Sequence, residues 1–337
     1  MAATMKDIAR CTGLGLATIS KYFNGGNVRP ENRARIEAAV AKLDYSPNAA
    51  ARSLKTRHTR TIGVVLPELC NTFMTTIIAH IEDALRRSDY GVIVCDFRSD
   101  EAREKEAVSF LLHKQVDGII SLPMCSSGAH LSPALERGVP VVLVDRMVES
   151  LYGRVSAVII DNRNISRRAV ETLLAAGHRR IGLILGEKGI YTTSERYKGY
   201  TDALRAAGIA EDPALIDHGD YTMQGGYLIA KSMLAMDNPP TALFCTNYEM
   251  TLGARIALNE MHVRIPQDLS LIGFDDMDMT NAIFPNTTLV TQPMAAISDC
   301  AAERMLSLLS DPETVHQVIT LPAALKKGDT VAAQGCE

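Results

Sequence analysis

No two of the seven cysteines (Cys11, Cys70, Cys95, Cys125, Cys245, Cys300 and Cys336) form a CxxC pair, and no His or Cys stands at zinc-ligand spacing. A disulfide framework and a metal site are therefore not expected. Most of the cysteines lie in apolar runs such as GVIVCDF and TALFCTN, where they read as small buried hydrophobes in a reducing compartment. No apolar run approaches the ~18 residues of a membrane span. The opening MAATMKDIAR lacks the apolar segment of a secretory signal, so the expected location is cytoplasmic. The signatures GxxxxGK[ST], HExxH and GxSxG are all missing, and GLGLAT lacks both the third glycine and the preceding strand of a dinucleotide site. With no acid/base constellation in view, neither an enzyme nor a cofactor is expected. Asp275, Asp276 and Asp278 are close enough to suggest a metal, but the simpler reading has two of them facing solvent beyond a strand end.

What is present is a strong asymmetry of charge. Residues 1–60 hold 11 lysines and arginines against four acids, a surplus of +7, so the rest of the chain carries −11 towards the net −4. A cationic end on an anionic body suits a polyanion partner for the first part alone, with a merely solvated basic tail as the alternative.

That first part reads as three short helices. Thr4 and Asp7 suit an N-cap for a helix through Cys11 with Met5, Ile8 and Ala9 on one face. Gly13-Leu14-Gly15 turns the chain into a second helix from Leu16 to Phe23, which Asn24-Gly25-Gly26 stops. Pro30 opens a third, with Ile36, Val40 and Leu43 at helical spacing. Two helices across a glycine turn outline a helix-turn-helix. In the second helix Ile19 and Phe23 face inward, while Leu16, Ala17, Thr18, Ser20 and Lys21 leave a thin outer side of the sort a major groove admits. Lys21 can donate to guanine, Leu16 or Ala17 can meet a thymine methyl, and Thr18 and Ser20 suit phosphates. The alternative for Leu16, three residues before Ile19, is a place in the core. The following SPNAAARSLKTRHTRT is a basic linker with helical potential, too short to persist alone as a helix.

From Thr61 the texture changes. TIGVVLP, GVIVCDF, DGIISLP and VPVVLVD read as buried parallel strands, with helices near 73–88, 101–115 and 130–137. A second series follows: RIGLILG, LIDHGDY, TALFCTN and LSLIGFD, with helices near 194–207, 222–235 and 248–261. Two such series predict two α/β lobes with a ligand cleft at the carboxyl ends of their strands; one long doubly wound sheet is the alternative.

At this point a resemblance emerges. TMKDIARCTGLGLATISKYFNG is similar to the helix-turn-helix of LacI-type bacterial transcription regulators, and LDYSPNAAARSLK resembles their hinge. TIGVVLPELCNTFM, PVVLVDR, VIIDN, AAGHRRIGLILG, SERYKGYTDAL, LFCTNYEMTLGARIAL, DLSLIGFDD and TLVTQP follow in the family's order, so the likeness spans nearly the whole chain. It implies a helix-turn-helix headpiece (1–46), a hinge (47–60) and a two-lobed α/β body like a periplasmic binding protein (61–337).

The resemblance further implies that Leu16, Ala17 and Lys21 read bases, with Thr18 and Ser20 on phosphate. In the hinge, Leu54 wedges into the minor groove with Asn48, Ala51 and Lys55 against it, a mode in which bending offsets unstacking. Effector contacts fall at Phe73, Asp145, Arg196, Tyr221, Asn247 and Asp275, a set suited to a sugar or sugar acid, with a surface ion pair of little worth as the alternative for Arg196. Gly15 replaces the family's usual Ser, Tyr248 replaces the common Asp, and Ile190 stands where purine-responsive relatives carry Arg; the last two argue against a purine. The implied protein is a homodimeric repressor on a pseudo-palindromic operator, and no leucine heptad follows Pro312 to make a tetramer. A solute-binding protein of a sugar transporter is the rival reading.

Overall fold

The computed structural model describes residues 3–23, 25–45, 58–277, 282–284 and 286–334, and divides into two compact units after Arg60. The hinge residues Asn48, Ala51, Leu54 and Lys55 lie outside the described residues, as does Asp278.

The first unit holds α1 (Met5–Thr12), α2 (Leu16–Phe23) and α3 (Pro30–Leu43). The Thr4 hydroxyl accepts from the Asp7 amide, and the Asp7 carboxylate accepts from the Thr4 amide at 2.9 Å, closing a capping box. Gly13 ends α1 at φ 65°, a left-handed conformation that costs glycine least. Gly15 takes the N-cap place of α2, its carbonyl accepting from Thr18 and Ile19. Ile8, Ile19 and Ile36, one from each helix, are fully buried together with Phe23 and Tyr45 packed around them. Each such isoleucine contributes roughly 1.5–3 kcal/mol.

In the second unit, β1 (Thr61–Leu66) shows why the strands are continuous apolar runs. Val64 and Leu66 enter one core cluster while Val65 enters another, so both faces of the strand are covered. The elements then run α4 (Thr72–Arg86), β2 (Gly91–Asp96), α5 (Glu101–His113), β3 (Gly118–Ser121), α6 (Ser132–Glu136), β4 (Val141–Val144) and β5 (Ser156–Ile160). After them come α7 (Asn162–Ala175), β6 (Ile181–Leu185), α8 (Tyr191–Ala206), β7 (Ile216–His218), α9 (Met223–Leu234), β8 (Ala242–Cys245), α10 (Tyr248–Glu260) and β9 (Ser270–Phe274). Last are β10 (Thr288–Thr291), α11 (Met294–Ser310), β11 (Val318–Leu321) and β12 (Ala324–Lys326).

These build two six-stranded sheets, β11-β5-β4-β3-β1-β2 and β12-β10-β9-β8-β6-β7, parallel except where β12 pairs with β10. Two lobes, and not one long sheet, are the architecture. The lobes are not consecutive in sequence, however. The chain leaves the first after β5, returns after β10 to place α11 on β3, β4 and β5 and add β11, and crosses again to β12. The strand reading from sequence passed over β5, α7 and everything from β10 on; β5 and β10 are only five and four residues long, and α11 is a helix of small residues with a weak apolar face.

The cysteine expectation needs correcting. Among the described residues Cys125 and Cys245 are buried, Cys95 and Cys300 are half-buried, and Cys11 and Cys70 are exposed. Cys95 lies in an apolar run, but β2 is an edge strand and is covered incompletely. Asp276 is half-buried beyond β9 and pairs with Lys326 at 2.8 Å.

His178, in the turn after α7, fastens the end of the chain to the second sheet. Its Nε2 lies 2.9 Å from the Ser270 hydroxyl and 3.2 Å from the Ala332 carbonyl, and its Nδ1 lies 2.9 Å from the Thr241 hydroxyl. A carbonyl only accepts, so Nε2 carries the proton and Nδ1 accepts from Thr241. Burial holds this imidazole below its ordinary pKa, in the neutral form the network needs. Replacing His178 by Ala is expected to cost about 2 kcal/mol of stability in urea unfolding at pH 7.5. An unchanged midpoint would mean that the fastening carries no weight.

Candidate functional site

On the first unit, α2 buries Ile19 completely and turns Leu16, Ala17 and Lys21 outward, with Thr18 and Ser20 half-buried beside them. Leu16 is 46% exposed, which decides against its core reading. An exposed leucine, an alanine and one lysine on the first two turns form a surface of low profile bearing a single charge.

On the second unit, Phe73, Asp145, Arg196, Tyr221, Asn247 and Asp275 all line one void between the carboxyl ends of the two sheets. The volume in it that water-sized groups can enter is about 50 Å³, room for roughly four waters at about 10–15 Å³ apiece. Asp145 directly follows β4 and Asp275 directly follows β9, which occupy the same place in their respective sheets. Both take φ 67°, and each gives its amide to the neighbouring strand, to Val158 O at 3.0 Å and Val290 O at 2.8 Å. The left-handed conformation, which Asp tolerates, turns both carboxyls out of their strands and into the void.

Arg196 comes from α8 and is buried, not a surface partner. Its Nε donates to Asn162 Oδ1 at 2.8 Å, its Nη1 donates to the Thr246 carbonyl, and its guanidinium stacks 3.8 Å from the centroid of the Phe274 ring. Burial pushes the Asp275 carboxyl up to about 6, even though the Arg196 charge and a 2.7 Å bond from Gln292 Nε2 both favour its ionised form; the Asp145 charge pushes the same way as burial.

Tyr221 is a bulky residue at φ 63° whose hydroxyl lies 2.6 Å from Thr193 Oγ1. A Cβ on Gly186 would come within 2.1 Å of the ring, so the close approach requires glycine there. Asn247 caps α10 through Met250 N at 3.0 Å and gives its amide to the Tyr221 carbonyl at 3.2 Å, so part of its bonding capacity holds the loop.

The sequence reading missed several residues here. Arg146 is buried beside Asp145, with Nε 3.4 Å from its carboxylate and Nη1 3.2 Å from the Pro123 carbonyl. Its guanidinium reaches across to the other lobe, 5.5 Å from the Tyr221 ring. Asn71, the N-cap of α4, donates across the void to Glu249 at 3.1 Å. Gln292 occupies the second crossing. Glu68 and Asp220 add acid to the rim. The available signal was positional, since VLVDR and LVTQP both place polar residues directly after a strand's carboxyl end.

Residues 4–48 match the model for bacterial regulatory proteins of the lacI family, and residues 170–331 match that for a periplasmic binding protein-like domain. The chain is 34% identical over 322 residues to the ribose operon repressor of Haemophilus influenzae, covering 95% of this chain and 96% of that one. The lac repressor dimer bound to operator and the anti-inducer ONPF superposes with a TM-score of 0.89 at 26% identity, covering 99% of this chain and 100% of that one. A LacI family transcriptional regulator from Enterococcus faecium with bound ribose superposes with a TM-score of 0.75 at 29% identity, covering 82% of this chain and all of that one. A helix-turn-helix unit with a two-lobed ligand-binding body defines the class as a DNA-binding transcription regulator. Within that class the chain belongs to the lacI family. The relatives named above are regulators of transcription, not enzymes.

Asp275 binds its proton more tightly folded, at about 6, than at its unperturbed 3.8. Its contribution to folding is therefore complete below about pH 4 and is lost as pH rises through 6. Relative to the parent, Asp275→Asn is expected to gain roughly 1–1.5 kcal/mol in stability between pH 5 and pH 8. Urea unfolding at both pH values measures this, and a difference independent of pH would refute the buried-charge account.

Proposed function

We propose that the chain is a homodimeric repressor whose hold on a pseudo-palindromic operator is set by a small polyhydroxyl ligand, sugar-like in chemistry, in the void between the lobes. The observation that carries this reading is the convergence of Phe73, Asp145, Arg196, Tyr221, Asn247 and Asp275, drawn from both lobes, on one void. Carboxylates and an amide suit hydroxyl pairs, and Phe73 and Tyr221 supply apolar faces. The ribose-bound regulator and the ribose operon repressor among the relatives support a sugar, and the operator-bound dimer supports the assembly.

On the DNA side, Leu16, Ala17 and Lys21 face base edges and Thr18 and Ser20 face phosphates, with Asn48, Ala51, Leu54 and Lys55 of the hinge in the minor groove. Two copies of α2 related by a two-fold axis read two half-sites. Ligand in the void favours one arrangement of the lobes, and that arrangement governs whether the paired hinges engage DNA. The protein acts in the cytoplasm, where operator DNA is. A transport role, the rival, leaves the helix-turn-helix unit without a task.

The test is fluorescence anisotropy on an operator selected from genomic fragments. Affinity should fall with salt at a slope of about −0.9 per phosphate neutralised. Lys21→Ala should cost roughly 1–3 kcal/mol and relax specificity at one base pair of each half-site; a uniform loss with the slope reduced by about one would place Lys21 on phosphate instead. Ligand and operator must change each other's affinity by the same factor. A protein with no salt-dependent preference for any fragment would end the proposal.

A further inference from the structure

The void has a definite sign of charge. Glu68, Asp145, Asp220 and Asp275 face it against Arg146 and Arg196, four acids to two bases. Both guanidiniums are partly engaged: Arg196 donates to Asn162 and Thr246, and Arg146 donates to Pro123 and pairs with Asp145. Arg146 Nε makes no hydrogen bond among the described residues, but the charge of its guanidinium is already matched by the Asp145 carboxylate at 3.4 Å. Meanwhile Asp145 Oδ1 and Gln292 Oε1 are buried acceptors with no hydrogen-bond partner among the described residues. Leaving such atoms unpaired is costly, so the occupant must bring donors to them. Hydroxyl groups donate as well as accept, whereas an ionised carboxylate or phosphate accepts and adds negative charge to a site that is already acidic.

Building on the regulator reading above, we infer that the void takes a neutral polyhydroxyl compound and rejects its carboxylate and phosphate derivatives. This narrows the sugar or sugar acid expected from sequence to the uncharged member. It also sets the regulator's place in a reaction sequence: the chain responds to a sugar before the step that phosphorylates or oxidises it.

The test uses the purified full chain and matched sets in isothermal titration: D-ribose, D-ribonate and D-ribose 5-phosphate; and D-glucose, D-gluconate, D-glucose 6-phosphate and D-glucosamine. In the set that binds, the neutral sugar is expected to bind at least ~100-fold more tightly than either anion, since like-charge juxtaposition is heavily penalised. Asp145→Asn should weaken the neutral sugar about 10-fold while narrowing its margin over the anions. Gln292→Leu should weaken the neutral sugar by a similar factor without narrowing that margin. An anion or the amine binding as well as the neutral sugar overturns the inference, as does an absence of binding in both sets by a protein that still recognises its operator. A neutral sugar that binds selectively yet leaves operator affinity unchanged supports the inference and overturns the regulator reading.

Discussion

The structure of the body depends on a carboxylate placed where water scarcely reaches. Asp275 is buried and raised towards neutrality; the Tyr248 backbone and two side chains, the Arg196 guanidinium and the Gln292 amide, offset part of the loss of solvation. Neither side chain is itself free to move. Arg196 is tied to Asn162, the first residue after the chain's first crossing between lobes, and Gln292 is on the second crossing. The charges in the void are thus held by the segments about which the lobes are joined. On the proposed reading, an occupant that changes the hydrogen bonding of Asp275 acts on Gln292 directly and on Arg196 through charge, which is how a small ligand would bear on the arrangement of the two lobes.

The matched positions of Asp145 and Asp275 show how the fold builds such a site. Each lobe is a parallel sheet whose apolar strands end at the void, and each ends its third strand in an aspartate with left-handed backbone. Backbone strain of this kind is tolerated where neighbouring structure fixes it, here by one amide bond to the adjacent strand on either side. Two like charges brought towards each other raise the cost of keeping both ionised, as the influence of Asp145 on Asp275 shows. Stability has been traded for a site that donors can relieve.

Much of this was legible in the residues. α2 was expected from Leu16 to Phe23 and is found there, because Gly13 and Gly15 mark its start and a glycine turn marks its end. Strand runs such as TIGVVLP were legible because both faces are covered. The return of α11 and β11 to the first lobe was not, since no local pattern in a helix of alanines, serines and leucines states which sheet it covers. Arg146 and Gln292 were missed for a related reason: a polar residue beside a known motif has no distinguishing period, and only the three-dimensional arrangement shows that both are buried. The cysteines erred in the opposite direction, because an apolar neighbourhood in sequence does not guarantee cover for an edge strand.

Charge divides the labour between the two units. The first sixty residues carry the surplus of +7 that a polyanion requires, while the remainder carries −11 and would repel one. The void continues that sign inward, with four acids against two bases. On the proposed reading, a chain that holds nucleic acid at one end and turns anionic metabolites away at the other needs opposite fields at the two places. The thin face of α2 fits the same division. Affinity for a polyanion can come from cations spread over the unit, which leaves Leu16 and Ala17 free of charge and small enough to approach base edges.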